Sequence, residues 1–385
     1  MKRILFFHNE FPCGGAERVT IDIANYLSSF GYEFFVLACK KKAEVPNVRV
    51  IEMTISDWNS LSGAELFINA INFYSIDIFV LPIHLFKHLD YIMEQTCCKL
   101  VFALHSIPLW EVKTKMAAKQ KRARYSFLKK IELYLFSYPK ANWFGVYNRR
   151  FLKQYENIYS LSDAYVVLCE DYKLELFRRM KLPNIGDKFY VIPNSEQVVE
   201  DVNLNKKKQI LFVGRLSYAD KRVDRLIDIW KMIYKKVPDW ELIIVGEGEE
   251  ESALRMRVSK KNIQRVRFTG YDENVSTYYR DASVLCLTST FEGWGLCLTE
   301  AQANGVVPIA FDSCAGVHQI LAPSGVNGFL IPPFKKQLFA ETLLNLLNSP
   351  DKLVEMRNNV LLKVRDYSPQ VVREKWMDLF ESLLK

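Results

Sequence analysis

The sequence predicts an α/β chain built from two doubly wound parallel-sheet domains, and three observations carry that expectation. Its 385 residues exceed what one hydrophobic core usually organises. Two segments, starting at residues 3 and 209, each read as a buried strand, a glycine-bearing loop and an amphipathic helix, which is how a doubly wound unit opens. After each opening, short β-branched and aromatic runs alternate with helical patterns, as parallel strands covered on both faces require.

The first opening sets a strand over 3–7, a loop over 8–15 and a helix over 16–30 closed by Gly31. The second sets a strand over 209–213, a loop over 214–221 and a helix over 223–236 stopped by Pro238. Further strands are predicted over 33–38, 76–81, 100–104 and 164–168, then over 241–245, 266–269, 282–287 and 307–310. Residues 194–208 are polar, carry a lysine triplet and lack helical periodicity, so they read as a linker. The domains are accordingly drawn as 1–195 and 196–365. In the C-terminal segment 366–385 an amphipathic helix over 368–384, with Val371, Val372, Trp376, Leu379, Phe380 and Leu383 on overlapping apolar positions, is expected to pack back on the first domain.

With 49% hydrophobic and 25% charged residues the chain is globular rather than disordered. A formal net charge of +8 suits an anionic partner. The eight cysteines are scattered, with only Cys97 and Cys98 close together, so free thiols in a reducing cytoplasm are expected. Cys13, Cys39, Cys169, Cys297 and Cys314 have no CxxC or CxxH partner that would hold zinc. The opening MKRILFF is interrupted by His8, Asn9 and Glu10, and the most apolar long window, 68–86, contains Asn69, Asn72, Asp77 and His84. Neither a signal peptide nor a membrane span is expected.

The chemistry concentrates in residues 291–308, FEGWGLCLTEAQANGVVP, which follow a buried strand and run into a helix. Open α/β sheets bind ligands at that carboxyl edge. Glu292 falls in the loop and Glu300 eight positions on in the helix, so two carboxylates are offered to one ligand, while Gly293 and Gly295 let the backbone between them come close to it. A second stretch, VGRLSYADKRVDRL over 213–226, puts Arg215 and Lys221 at a helix amino terminus, a combination that suits a diphosphate. A third, CGGAERV over 13–19, places Gly14 and Gly15 between the first strand and helix; their amides can face a phosphate or the acceptor, and the pair serves a tight turn equally well.

The first of these segments resembles the E-x7-E signature of retaining GT-B glycosyltransferases, in particular family 4 (glycosyl transferases group 1), and the resemblance extends over nearly the whole chain. It implies two Rossmann-like domains facing a cleft, the first binding the acceptor and the second a nucleotide sugar. By that similarity Glu292 hydrogen-bonds hydroxyls of the donor sugar, Glu300 receives the ribose hydroxyls, and Arg215 and Lys221 neutralise the leaving nucleoside diphosphate. The second stretch is similar to the family's G-R-x-x-x-x-K-G pattern but has Arg222 where glycine is usual and one extra loop residue. His105, at the end of the strand over 100–104, matches a histidine that contacts the donor sugar in similar enzymes. Residues 268–284 resemble the segment whose backbone reads the nucleobase near Tyr271, Trp294 and Leu296 fall in the donor loop, and VNGFLIPP over 326–333 resembles a closing turn of the family. Gln319 stands where relatives often carry Glu.

VGEGEE over 245–250 lacks the third glycine of a dinucleotide fingerprint, which argues against NAD. No D-x-D triplet occurs, and Arg215, Lys221 and helix amino termini offer the diphosphate a metal-free site, so no metal or other cofactor is expected. Residues 113–130 hold Lys119, Lys121, Arg122, Arg124, Lys129 and Lys130 among other cations without one Asp or Glu, and continue into an apolar, aromatic run. That combination reads either as a contact with an anionic membrane face or as a solvated basic surface. The function expected is transfer of a hexose-type sugar, from a UDP-sugar, to a saccharide or polyprenyl-linked saccharide acceptor in surface polysaccharide or lipopolysaccharide assembly. The protein would be cytoplasmic, peripheral to the inner membrane, with no nucleic-acid partner. A nucleotide-sugar epimerase of the same fold and a non-catalytic sugar-nucleotide sensor are the alternatives.

Overall fold

The computed structural model describes residues 1–55, 57–124, 126–143, 145–182 and 188–385, without the side chains of residues 142 and 143. Two wholly parallel sheets organise them. The first contains β1 (Lys2–Phe11), β2 (Tyr32–Lys41), β3 (Val48–Glu52), β4 (Ile78–Pro82), β5 (Lys99–Leu104), β6 (Ala164–Val167) and β7 (Phe189–Val191). Their order is β3-β2-β1-β4-β5-β6-β7. The second contains β8 (Gln209–Val213), β9 (Glu241–Val245), β10 (Val266–Gly270), β11 (Val284–Leu287), β12 (Val307–Phe311) and β13 (Phe329–Ile331), ordered β10-β9-β8-β11-β12-β13. Both orders start in the middle and reverse direction once, so the predicted doubly wound class is the observed one.

Every residue of β4, β6, β11 and β12 is buried, which is why these strands show as unbroken apolar runs. The sequence reading missed β3, β7 and β13, all edge strands. Two of them have only three residues, and β3 carries Arg49 and Glu52, so none presents an apolar run of ordinary strand length. Helix Val223–Ile233 covers the second sheet with Val223, Leu226, Ile227, Trp230 and Ile233, one stripe at helical spacing.

By contacts the chain divides into two units. The first comprises Met1–Leu109, Val146–Ser195 and Pro369–Lys385, and the second Trp110–Gly145 and Glu196–Ser368. Helix Pro369–Leu383 belongs to the first unit, where Val372, Trp376, Leu379 and Phe380 join Phe6, Val80 and Val101 in the core. Residues 110–145, drawn in the first domain from sequence, group with the second unit. The segment read as a loose linker differs from that expectation at its start, because Asn194, Ser195 and Glu196 are buried. Their polarity serves internal hydrogen bonds rather than solvent.

Strand order reverses between β1 and β4 in the first unit and between β8 and β11 in the second. Loops leaving the carboxyl ends of two such neighbours diverge to opposite faces and leave a crevice between them. In the second unit those loops are 214–222 and 288–295, the two that carry Arg215, Lys221 and Glu292.

Candidate functional site

Backbone contacts fix the loop after β8 from both sides. Gly214 donates to the Val245 carbonyl at 3.0 Å, and Leu216 to that of Glu247 at 2.8 Å. Gly246 has φ +126°, and a Cβ there would lie 2.1 Å from the Gly214 carbonyl oxygen. VGEGEE therefore needs its glycines for close loop packing. From the other side, Thr290 donates its amide to the Asp220 carbonyl at 2.6 Å, tying the β8 loop to the β11 loop. The Asp220 carboxylate accepts from the Ser217 hydroxyl and, at 3.2 Å, from Arg215 Nη2. Arg215 otherwise projects outward, 79% of its side chain exposed.

Lys221 points inward. Its Nζ lies 2.7 Å from Glu292 Oε1, and both side chains are largely buried. The same oxygen accepts from Ser289 Oγ at 2.6 Å. Burial opposes the charge on Lys221, but the Glu292 carboxylate beside it outweighs that penalty and holds the ammonium's pKa above its ordinary value. Sequence reasoning assigned these two residues to different parts of a donor; the fold places them in one ion pair. Ser289 escaped notice because nothing in its neighbours distinguishes it from an ordinary loop serine.

The residue after Lys221 explains the departure from the family pattern. Arg222 has φ +50° and ψ +48°, left-handed backbone that glycine adopts without cost. Its guanidinium makes a two-pronged contact with Asp224, at 2.9 and 3.0 Å, and lies 4.2 Å from the centre of the Tyr218 ring. Arg124 lies against the same ring at the same distance. These contacts offset the backbone strain.

Glu300 sits in helix Leu296–Ala303, and its Oε2 accepts from the hydroxyl of buried Tyr279 at 2.7 Å. Burial, then the nearby Glu300 charge, holds that phenol well above its ordinary pKa, so it stays a donor. One residue earlier Thr299 donates to buried Glu196 at 3.0 Å, a carboxylate from the supposed linker that sequence reasoning did not single out. Gly295, φ +93°, caps the amino end of the helix, and the Gly293 carbonyl packs so close to Gly316 that a Cβ there would meet it at 2.5 Å. The Trp294 indole is buried edge-on against Tyr367, 5.2 Å between centres, and its Nε1 has no hydrogen-bond partner among the described residues. Leu296 is the first helical residue, and Tyr271, past the end of β10, is 66% exposed.

In the first unit His105 follows β5, and its Nδ1 lies 3.2 Å from Asn194 Oδ1. Burial lowers its pKa to about 4, so the ring is neutral at pH 7. With a carbonyl oxygen as partner, the proton sits on Nδ1 and Nε2 keeps its lone pair. His84, after β4, is likewise held to about 4, first by burial and then by His8. His8 is itself buried on β1, with Nε2 2.8 Å from Thr20 Oγ1 and Nδ1 3.5 Å from Glu17. Three histidines thus gather at the carboxyl ends of three adjacent strands, although only His105 was singled out from sequence. Gly14, φ +107°, and Gly15 open helix Gly15–Leu27 beside them.

Segment 110–145 is helical: Trp110–Ala123, Phe127–Glu132, and wide π turns over Leu133–Ser137 and Pro139–Trp143. Lys121 pairs with Glu249 and Arg124 with Glu250, each at 2.8 Å; Lys129 pairs with Glu132 at 2.7 Å, and Lys119 donates to Ser137 at 2.8 Å. Lys119, Lys121, Arg124 and Lys129 of the basic patch therefore engage internal partners. Phe127, Leu128, Tyr134, Leu135 and Phe136 are each more than half exposed. Among the described residues no helix is long and apolar enough to cross a membrane. Nor do three or more His, Cys, Asp or Glu side chains gather to hold a metal ion there.

Two parallel sheets of this order, with charged loops at a switch point, define the GT-B class of glycosyltransferase folds, and solved structures agree. The crystal structure of Anabaena Alr3699/HepE in complex with UDP and glucose covers 99% of this chain with a TM-score of 0.73, at 18% identity and over its own full length. The profile of the family Glycosyl transferases group 1 matches residues 194–361. An uncharacterized glycosyltransferase of Haemophilus influenzae is 30% identical over 384 residues, 98% of this chain and 99% of its own. The amylovoran biosynthesis glycosyltransferase AmsD of Erwinia amylovora is 30% identical over 226 residues, 57% of this chain and 63% of its own, somewhat under two thirds of its length. The chain belongs to the group 1 glycosyltransferases and is a transferase enzyme.

Proposed function

We propose that the protein moves a hexose-type sugar from a UDP-sugar to a hydroxyl of a saccharide acceptor, lipid-linked, with retention of anomeric configuration. The observation that carries this reading is the buried Lys221–Glu292 pair beside Arg215 at the β8/β11 switch point. The UDP and glucose bound in the HepE crystal support the donor, and the part AmsD plays in amylovoran biosynthesis supports a role in surface polysaccharide or lipopolysaccharide assembly. The second unit binds the donor and the first the acceptor.

Cleavage of the sugar–phosphate bond puts negative charge on the departing diphosphate. Arg215 and Lys221, with the amino terminus of helix Val223–Ile233, stabilise that charge without a metal. Glu292 accepts hydrogen bonds from donor-sugar hydroxyls, and Glu300, positioned by Tyr279, accepts them from the ribose. The backbone of Gly293, Trp294, Gly295 and Leu296 borders the donor, Tyr271 lies by the base, and Gly14 and Gly15 face the phosphate or acceptor. His105, neutral with a free lone pair on Nε2, accepts a sugar hydroxyl. The acceptor hydroxyl attacks from the face the diphosphate leaves, its geometry held by binding energy on the sugar.

Exposed Phe127, Leu128, Leu135 and Phe136 beside Lys130 and Arg122 support a peripheral contact with anionic lipid at the cytoplasmic membrane face. The deciding experiment is a thermal-shift screen against UDP-, GDP- and ADP-sugars. Stabilisation by one UDP-sugar and by UDP is expected, and no response to any nucleotide sugar would overturn the reading.

A further inference from the structure

The second sheet also has an amino edge. Residues 204–206, Lys208, residues 236–240 and Ser283 precede β8, β9 and β11, and together with Leu353, Val354 and Arg357 they enclose a hollow of about 530 Å³. Five-residue strands put it about 16 Å from the loops at the carboxyl edge. Its volume falls within the range of small-molecule sites.

The charge around the hollow is uneven. Lys206, Lys208, Lys236 and Arg357 line it, against one carboxylate, Asp239, which is paired with Lys208 at 3.1 Å. Lys206, Lys236 and Arg357 have no carboxylate partner among the described residues. Lys206 is spent on three backbone carbonyls, those of Tyr279, Arg280 and Asn304, at 3.0, 2.9 and 2.6 Å. Burial, then the Arg357 charge, brings its pKa down to about 8. Arg357 donates Nη1 to the Leu204 carbonyl at 2.6 Å, while its Nε is buried without a partner. Arg357 is half-buried and lacks a counter-ion, which is costly, and an anion in the hollow removes that cost. The lining also has an apolar part: Val237, Trp240, Leu347 and Leu353 are all buried.

We infer that this hollow is a second ligand site, which takes an organic phosphate of mononucleotide or sugar-phosphate size. The phosphoryl group meets Lys208, Lys236 and Arg357, and the organic body lies on the apolar part of the lining. The site is independent of the donor reading, since none of its residues serves the carboxyl edge.

Isothermal titration with AMP and with inorganic phosphate tests it, in the wild type, in Lys236→Glu and Val354→Glu, and in Lys221→Met. Lys236 and Val354 are exposed, so both rear substitutions should fold, which circular dichroism checks. AMP should bind the wild type and Lys221→Met alike, more tightly than phosphate does, and about tenfold more weakly in each rear variant. The inference is overturned by no AMP binding to the wild type, by equal affinity in the rear variants, or by loss of binding only in Lys221→Met.

Discussion

Lys221 Nζ and Glu292 Oε1 lie 2.7 Å apart, joining loops that leave two neighbouring strands on either side of the switch point. Each side chain neutralises the other, and in the proposed reading a donor brings a diphosphate to the first and hydroxyls to the second. Lys221→Met and Glu292→Gln should each lower kcat/KM by about 100-fold or more, as loss of a transition-state charge contact does. Each breaks a largely buried ion pair from one side, at about 3 kcal/mol of stability, whereas the double variant should cost less than the two singles together. Steady-state kinetics and denaturant unfolding measure both, and additive effects would disprove the coupling.

The hydroxyl of Tyr279 donates to Glu300 at 2.7 Å, and in the proposed reading it acts on the donor through that carboxylate. Tyr279→Phe removes one hydrogen bond to a carboxylate, worth about 2 kcal/mol. KM for the nucleotide sugar should rise while kcat stays near wild type, because the ribose is held equally in ground and transition states. A fall in kcat with unchanged KM would contradict this positioning role.

Arg222 occupies left-handed backbone and offsets the strain through Asp224 and Tyr218. Arg222→Gly loses the contacts but also the strain, so stability should change by no more than about 1 kcal/mol. Arg222→Ala loses the contacts and keeps the strain, and should be clearly the less stable of the two. Thermal melts of the pair decide, and equal melting temperatures would refute the strain account.

His84 and His105 titrate near pH 4 in the folded chain, below the ordinary histidine value of 6.5. Between those values the unfolded chain binds protons that the folded chain does not. Stability attributable to these rings is therefore full above pH 6.5 and falls as pH drops towards 4, by about 3 kcal/mol per histidine at most. His105→Gln should shrink the difference in melting temperature between pH 7 and pH 5. An undiminished difference would place the acid sensitivity elsewhere.

The proposed stabilisation of the diphosphate by Arg215 and Lys221 asks for no divalent ion. Transfer should persist in excess EDTA, and a complete loss restored by manganese would replace this account with a metal-assisted one.

The sequence by itself determined the two-sheet class, the central strands and the position of the E-x7-E loop, because each is written locally. Strands buried on both faces are apolar without interruption, and a loop between strand and helix shows its glycines and carboxylates in order. Edge strands β3, β7 and β13 were not legible, being short or charged. Only the tertiary structure decided which groups meet. Ser289 and Lys221 converge on Glu292, Tyr279 reaches Glu300, Glu196 accepts from Thr299 103 residues away, and Lys121 and Arg124 turn to Glu249 and Glu250. Such partnerships depend on how sheets and loops pack, and hydrogen bonding between residues far apart in the chain leaves no periodic trace. Arg222 and Trp294 show the same limit at single positions: a backbone angle set by loop closure, and an indole turned inward by Tyr367.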